Sequence, residues 1–224
     1  MVSKIKNWKR FLSSKWQSVH LDYPVDFRPR FAPALDAGLP EINNLLKSQV
    51  QDFKVKAELI RSYENDLVQF KKRSDETNAL MPGWNNGYLP GLDMAALFAF
   101  VSEFQPKRYV EVGSGNSTLV AAAAKSQHSP LTEITSIDPF PRAEIDQLSQ
   151  VIIREPFESL NADELLQSLE SGDMLFIDNS HRVLPNSDAT VFFLEWLPKL
   201  ADGVIVQIHD IYLPWDYPQE MCER

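Results

Sequence analysis

The chain of 224 residues carries 31 Asp and Glu against 22 Lys and Arg, a formal charge of −9, and is 44% hydrophobic, enough for one main core plus an extension. Its one cysteine, Cys222, excludes an internal disulfide framework and suits a reducing compartment, and no apolar run reaches membrane-spanning length. Residues 1–73 hold 14 Lys and Arg against 8 Asp and Glu, the remainder 8 against 23; so acidic a second half excludes nucleic acid as substrate, since phosphate contacts require positive charge.

The N-terminal stretch is basic but has no uninterrupted apolar core and no small-residue cleavage site, so it is not a secretory signal, and a cytoplasmic location is expected. Within residues 4–16, Ile5, Trp8, Leu12 and Trp16 recur near helical spacing among Lys4, Lys6, Lys9, Arg10 and Lys15. Such a helix either lies on an anionic membrane surface or packs on the main domain or a partner subunit. Residues 22–40, with Pro24, Pro29, Pro33 and Pro40, read as an extended connector. Residues 41–73 read as one long helix with apolar Ile42, Leu45, Leu46, Val50, Phe53, Leu59 and Ile60. A turn-rich aromatic loop, 81–90, places Trp84 and Tyr88 either over a ligand or in structural packing, and a helix over 92–104 follows. The division this suggests is an N-terminal helical extension, 1–80, and a main domain, 81–224.

The first strand candidate, Tyr109 to Val112, runs into Gly113-Ser114-Gly115-Asn116-Ser117-Thr118 and an alanine-rich helix over 119–125. Glycine allows a sharp turn and close approach of a ligand to backbone, and the helix start offers free N–H groups. Glu111, two residues before the first glycine, disfavours a pyrophosphate. No lysine is placed for a Walker loop, and Ser117 stands where a dinucleotide fingerprint needs its third glycine.

Further short apolar runs follow at 134–137, 151–153, 174–177 and 204–208, with helical patterns at 142–149 (weak), 161–170 behind the cap candidate Asn161, and 188–200 (the clearest). The second strand ends at Asp138, the fourth at Asp178 and the fifth at His209-Asp210. Near-continuous apolar strands alternating with helices predict an α/β, doubly wound, Rossmann-like, mostly parallel sheet with helices on both faces. Ligands of such sheets bind outside the carboxyl ends of the strands, where these acids lie.

Glu111-Val-Gly113-Ser-Gly115-Asn-Ser117-Thr118, Asp138, Phe176-Ile-Asp178-Asn-Ser-His181 and Ile208-His209-Asp210 resemble class I S-adenosylmethionine-dependent methyltransferases, most of all the small-molecule O-methyltransferase branch. The resemblance covers roughly residues 80–215. It implies that Glu111, Gly113, Ser114, Gly115, Ser117, Asp138 and Asp178 surround S-adenosylmethionine, with Glu111 near its amino group and Asp138 on the ribose. Residues Glu155 to Phe157 are a looser match for the adenine site. It also implies a catalytic set of His181, Asp178, Asp210 and His209. In related cation-dependent enzymes, acids at the ends of the fourth and fifth strands hold magnesium; Asp178 and Asp210 match two such positions, whereas His209 breaks the oxygen pair that magnesium prefers.

Methyl transfer from a sulfonium needs two groups held in line and a proton removed from the acceptor. Histidine titrates near neutrality, which suits His181 to that task. The leading reading is O-methylation of a small-molecule or sugar hydroxyl with His181 as base, metal assistance second. The alternative is a non-catalytic binding or assembly module of the same fold. A nicotinamide-dependent oxidoreductase is disfavoured by Ser117 and Glu111. Only 14 residues follow Asp210, including Pro214 and Pro218, too few for the two antiparallel strands that complete the resembled sheet. The expectation is therefore a C-terminally truncated sheet with an apolar edge on its fifth strand, which with the basic N-terminus also suggests a homodimer.

Overall fold

The computed structural model describes residues 11–13, 19, 21–35, 38–141 and 145–222. The amphipathic pattern over 4–16 lies largely outside the described residues. Contacts divide the chain into two compact units, Met1–Leu46 with Tyr212–Arg224, and Lys47–Ile211.

In the first unit the described residues between 22 and 39 form no regular element apart from one 3-10 turn at Pro33–Leu35. The C-terminal segment fastens to it. Asp216 accepts from the amides of Arg30 (2.7 Å) and Phe31 (3.0 Å), its own amide donates to the Phe31 carbonyl (2.9 Å), and the Leu39 amide donates to the Pro214 carbonyl (2.7 Å). A terminal turn, Gln219–Cys222, follows, with the Gln219 side chain donating to the Phe27 carbonyl (2.9 Å).

The predicted helix over 41–73 is in fact three pieces, α1 (Pro40–Ser48), α2 (Val50–Ser62) and α3 (Glu64–Leu67). The second break falls at Tyr63, whose ring meets Phe98 and His128 edge-on at 6.1 and 5.3 Å and whose hydroxyl donates to Glu103 (3.0 Å). Those tertiary contacts outweigh helical propensity, a weak local preference. Residues 71–73 then run beside Trp84, exchanging backbone hydrogen bonds with it, and Trp84 packs near Phe70 (6.3 Å) while Tyr88 is exposed.

The second unit is built on a five-stranded, all-parallel sheet: β1 (Arg108–Val112), β2 (Glu133–Ile137), β3 (Val151–Ile153), β4 (Met174–Ile177) and β5 (Ile205–Ile208), in the order β3-β2-β1-β4-β5. This is the doubly wound α/β architecture read from the sequence, and β5 is an outer strand. Alternate residues face opposite sides, as the two-residue period of a strand requires. Tyr109, Ile134, Met174 and Phe176 join α4 (Gly91–Phe104) and α5 (Asn116–His128) in one apolar cluster. Val110, Val112, Ile137, Leu175 and Ile177 join Phe157, Phe192 and Trp196 in the other.

Asn161 caps α6 (Ala162–Leu166), accepting from the Asp163 amide (3.2 Å). The helix predicted over 188–200 is regular only through α7 (Asp188–Val191); it widens to π geometry over Phe192–Trp196 and tightens to 3-10 over Leu197–Lys199. Pro198 explains the change, because it lacks an amide hydrogen and its ring collides with the carbonyl four residues back. The weak pattern over 142–149 amounts, among its described residues, to one 3-10 turn at Asp146–Leu148.

The register matters most for function. Val112, Ile137, Ile153, Ile177 and Ile208 stand level across the sheet. One residue beyond that line lie Gly113, Asp138, Arg154, Asp178 and His209. Strand order reverses between β1 and β4, the switch point at which open α/β sheets bind ligands.

Candidate active site

Gly113 has φ +81°, and a Cβ on it would lie 2.0 Å from the Asp178 carbonyl oxygen. Only glycine lets the turn after β1 press so closely on the exit of β4. Gly115 differs: a Cβ there meets nothing within 4 Å, so this side of the loop is open. Asp138 braces the loop from β2. One of its oxygens accepts from the Ser114 amide (2.9 Å) and, at 3.4 Å, its hydroxyl, and the other accepts from the Phe140 amide (2.8 Å). A carboxylate has about four lone-pair sites, so Asp138 keeps capacity for a ligand hydroxyl.

Glu111 points the other way, into the core on the α5 side, and is fully buried. Ser117 (2.9 Å), Ser136 (2.7 Å) and Thr118 donate hydroxyl hydrogen bonds to it, and the Tyr109 hydroxyl adds a longer one (3.4 Å). Burial pushes its carboxyl up to about 7, with the Thr118, Ser136 and Ser117 hydroxyls pulling in the opposite direction. Ser117 is therefore committed to Glu111, and Thr118 also accepts from the Gly115 amide (3.0 Å). Sequence reasoning missed Thr118 and Ser136. The latter was findable, since Glu111 and Ser136 each stand one residue before the ends of adjacent strands and pair in register.

At the ends of β4 and β5 the structure brings together all four residues expected there. His181 Nε2 lies 3.2 Å from Asp178 Oδ1 and 3.8 Å from Asp210 Oδ2. His209 Nδ1 lies 3.3 Å from the same Asp178 oxygen and 3.8 Å from Asp210 Oδ1. Asp93, on the first turn of α4, stands 3.6 Å from His209 Nε2 and was not anticipated. His181 and Asp210 are both left-handed, at φ +56° and +54°. Such strain in non-glycine residues persists where surrounding structure enforces it, commonly at functional sites. The turn holding His181 is fixed by its amide on Asn179 Oδ1 (3.0 Å) and by Ser180, whose amide donates to Asp188 (2.7 Å) at the start of α7.

The charges are mutually supporting. Burial works against the Asp178 carboxylate, but His181 and His209 outweigh it and hold Asp178 well below the usual carboxylate range. Burial also lowers His209, and contact with Asp178 together with the charges of Asp210 and Asp93 reverses that, raising it. Asp93 is raised by its burial, against the pull of His209. Because Gly113 touches Asp178, the open loop and this acid–imidazole cluster share a wall.

Magnesium demands near-octahedral oxygen ligation. The groups that converge here are one carboxylate oxygen and two imidazole nitrogens, from Asp178, His181 and His209, within 4.8 Å of one another. That donor set does not fit magnesium.

Residues 110–211 match the model of a family described as a methyltransferase domain. An uncharacterised protein of Archaeoglobus fulgidus is 31% identical over 122 residues, 54% of this chain and 52% of that protein, so the chain spans about half the length of this curated relative. Among solved structures, a putative protein-L-isoaspartate O-methyltransferase from Plasmodium falciparum, crystallised with S-adenosyl-L-homocysteine, is similar at 14% identity. The likeness covers 55% of this chain and 62% of that one, with a TM-score of 0.34.

Proposed function

We propose that this chain, whose residues 110–211 match the methyltransferase-domain family model on a doubly wound parallel sheet, transfers the methyl group of S-adenosylmethionine to a hydroxyl of a small molecule. The observation that carries the reading is the shared wall: the turn that is open at Gly115 presses at Gly113 on Asp178, and Asp178 pairs with His181. The cofactor lies along the 113–115 loop, with a ribose hydroxyl on the remaining lone pair of Asp138. The acceptor oxygen attacks the methyl carbon in line, the carbon–sulfur bond breaks, and sulfur keeps the electron pair as S-adenosylhomocysteine. His181 keeps its ring proton on Nε2 against the Asp178 carboxylate and receives the acceptor's proton on Nδ1, and Asp178 stabilises the imidazolium that results. No step involves magnesium. Three carboxylates around the acceptor side, Asp93, Asp178 and Asp210, favour a neutral or cationic acceptor over an anionic one.

Two substitutions separate the halves of this reading. Asp138→Ala is expected to abolish micromolar S-adenosylmethionine binding in titration calorimetry. His181→Ala should keep that binding and lower S-adenosylhomocysteine formation by about 10²–10⁴-fold with whichever hydroxylated compound of an acceptor panel supports turnover. Binding that survives Asp138→Ala, or turnover indifferent to His181→Ala, would count against the assignment. Cofactor binding with no turnover across the panel would favour a non-catalytic module.

A further inference from the structure

The residues that disqualify magnesium converge on a point of their own. Asp178 Oδ1 is 3.2 Å from His181 Nε2 and 3.3 Å from His209 Nδ1. A tetrahedral ion with bonds of about 2.0–2.1 Å sets its ligand atoms roughly 3.3 Å apart, the edge of the tetrahedron; the two separations from Asp178 match that edge, and the two imidazole nitrogens lie within 4.8 Å of each other. Asp210 reaches toward the same point, with Oδ2 3.8 Å from His181 Nε2 and Oδ1 3.8 Å from His209 Nδ1.

The second observation is independent of those distances. His209 is 4% exposed, and neither of its ring nitrogens makes a hydrogen bond. The contact with Asp178 is thus a close approach of charges rather than an aligned hydrogen bond. Buried imidazole nitrogens left without partners are costly, and native proteins rarely leave them so. Nδ1 faces the Asp178–His181 pair, while the far nitrogen, Nε2, faces Asp93 at 3.6 Å. A carboxylate behind a histidine, holding the proton on the far nitrogen and the lone pair toward an ion, is the usual support of a metal-bound imidazole.

We propose that Asp178 Oδ1, His181 Nε2 and His209 Nδ1 form a binding site for one divalent transition cation of the zinc class, with Asp210 in reach as a fourth ligand and Asp93 positioning His209. Imidazole and carboxylate together suit zinc or cobalt in four-coordinate geometry, whereas magnesium is a poor competitor for nitrogen. An ion on His181 Nε2 moves the ring proton to Nδ1, the nitrogen that takes the acceptor's proton, so the base role proposed above belongs to the metal-free chain. The site itself does not depend on methyl transfer.

The test uses the full chain stripped with chelator, without cofactor or acceptor. Titration with zinc chloride should give one equivalent bound at micromolar or tighter dissociation constant, at least about 100-fold tighter than magnesium chloride. Cobalt(II) should give the intense visible bands of a four-coordinate site, and zinc should erase them. His181→Ala and His209→Gln should each weaken zinc by more than about 10–100-fold, the loss usual for an outer-shell change alone. His181 is the less buried of the two, so its variant remains informative if the His209 variant does not fold. Zinc binding no tighter than magnesium, or unchanged in folded His181→Ala, overturns the proposal. Because no turnover is read, that failure is distinct from failure of the methyl-transfer reading.

Discussion

Gly113→Ala is expected to cost about 3 kcal/mol of stability and to abolish S-adenosylmethionine binding. A left-handed backbone costs a non-glycine residue about 1–2 kcal/mol, and forcing a methyl into a filled space costs about 1–3 kcal/mol. Both apply here, because φ is +81° and the new Cβ would sit 2.0 Å from the Asp178 carbonyl oxygen. The atom it meets is backbone at the end of a central strand, so no side-chain rotation relieves the clash. In thermal unfolding the loss should appear as a fall of roughly 6–12 °C, at about 2–4 °C per kcal/mol for a chain of this size. Gly115→Ala is the comparison. Its backbone also disfavours a side chain, but its Cβ meets nothing within 4 Å. It should therefore lose less stability while still obstructing the cofactor's approach. If Gly113→Ala melts within about 2 °C of the parent, the contact with β4 is not the constraint described, and the shared wall of the two half-sites goes with it.

That contact also shows what one-dimensional reading reaches. A glycine-rich turn behind a short apolar strand is visible in the sequence, and so are the acids closing the second, fourth and fifth strands. The structure converts those separate strand ends into one line because parallel pairing sets Val112, Ile137, Ile177 and Ile208 level. Residues far apart in the chain, Asp178, His181, His209 and Asp210, were thus legible as a group. Asp93 was not. It comes from a helix that precedes all five strands, and nothing in its local pattern distinguishes it from an ordinary first-turn acid. The hydroxyls around Glu111 were hidden for another reason, since serine and threonine have no periodicity of their own and only strand register brings Ser136 to that carboxylate. Helix lengths failed where tertiary forces or proline intervened. Tyr63 ends α2 through contacts with Phe98, His128 and Glu103, and Pro198 disrupts a run whose apolar spacing reads as one regular helix.

Glu111 supplies the second large effect, through pH. Its carboxyl is fully buried and raised from an ordinary 4.5 to about 7, chiefly by that burial. An acid raised on folding holds its proton in the native state over a range where the unfolded chain has released it. Its contribution is therefore fully present below pH about 4.5, declines between 4.5 and 7, and is gone above, where the native state must bury a charge. A shift of that size corresponds to about 3 kcal/mol. Other groups titrate as well. The depressed Asp178 adds stability that is lost only in acid, and the raised His209 adds stability lost as pH climbs past its native value. The comparison must therefore be with Glu111→Gln, which keeps the shape and removes only this titration. Urea unfolding at pH 5 and pH 8 should show the variant gaining about 2.5 kcal/mol on the parent between the two. Parallel stabilities at both pH values would mean that the four hydroxyls keep Glu111 ionised throughout. The same hydroxyls include Ser117 and Thr118 of the first turn of α5. A neutral Glu111 holds that turn by hydrogen bonds alone, whereas an ionised one adds negative charge at the positive end of the helix dipole. Cofactor affinity that falls in Glu111→Gln at pH 8, where the parent is ionised, and not at pH 5 would assign the charge itself a part in binding.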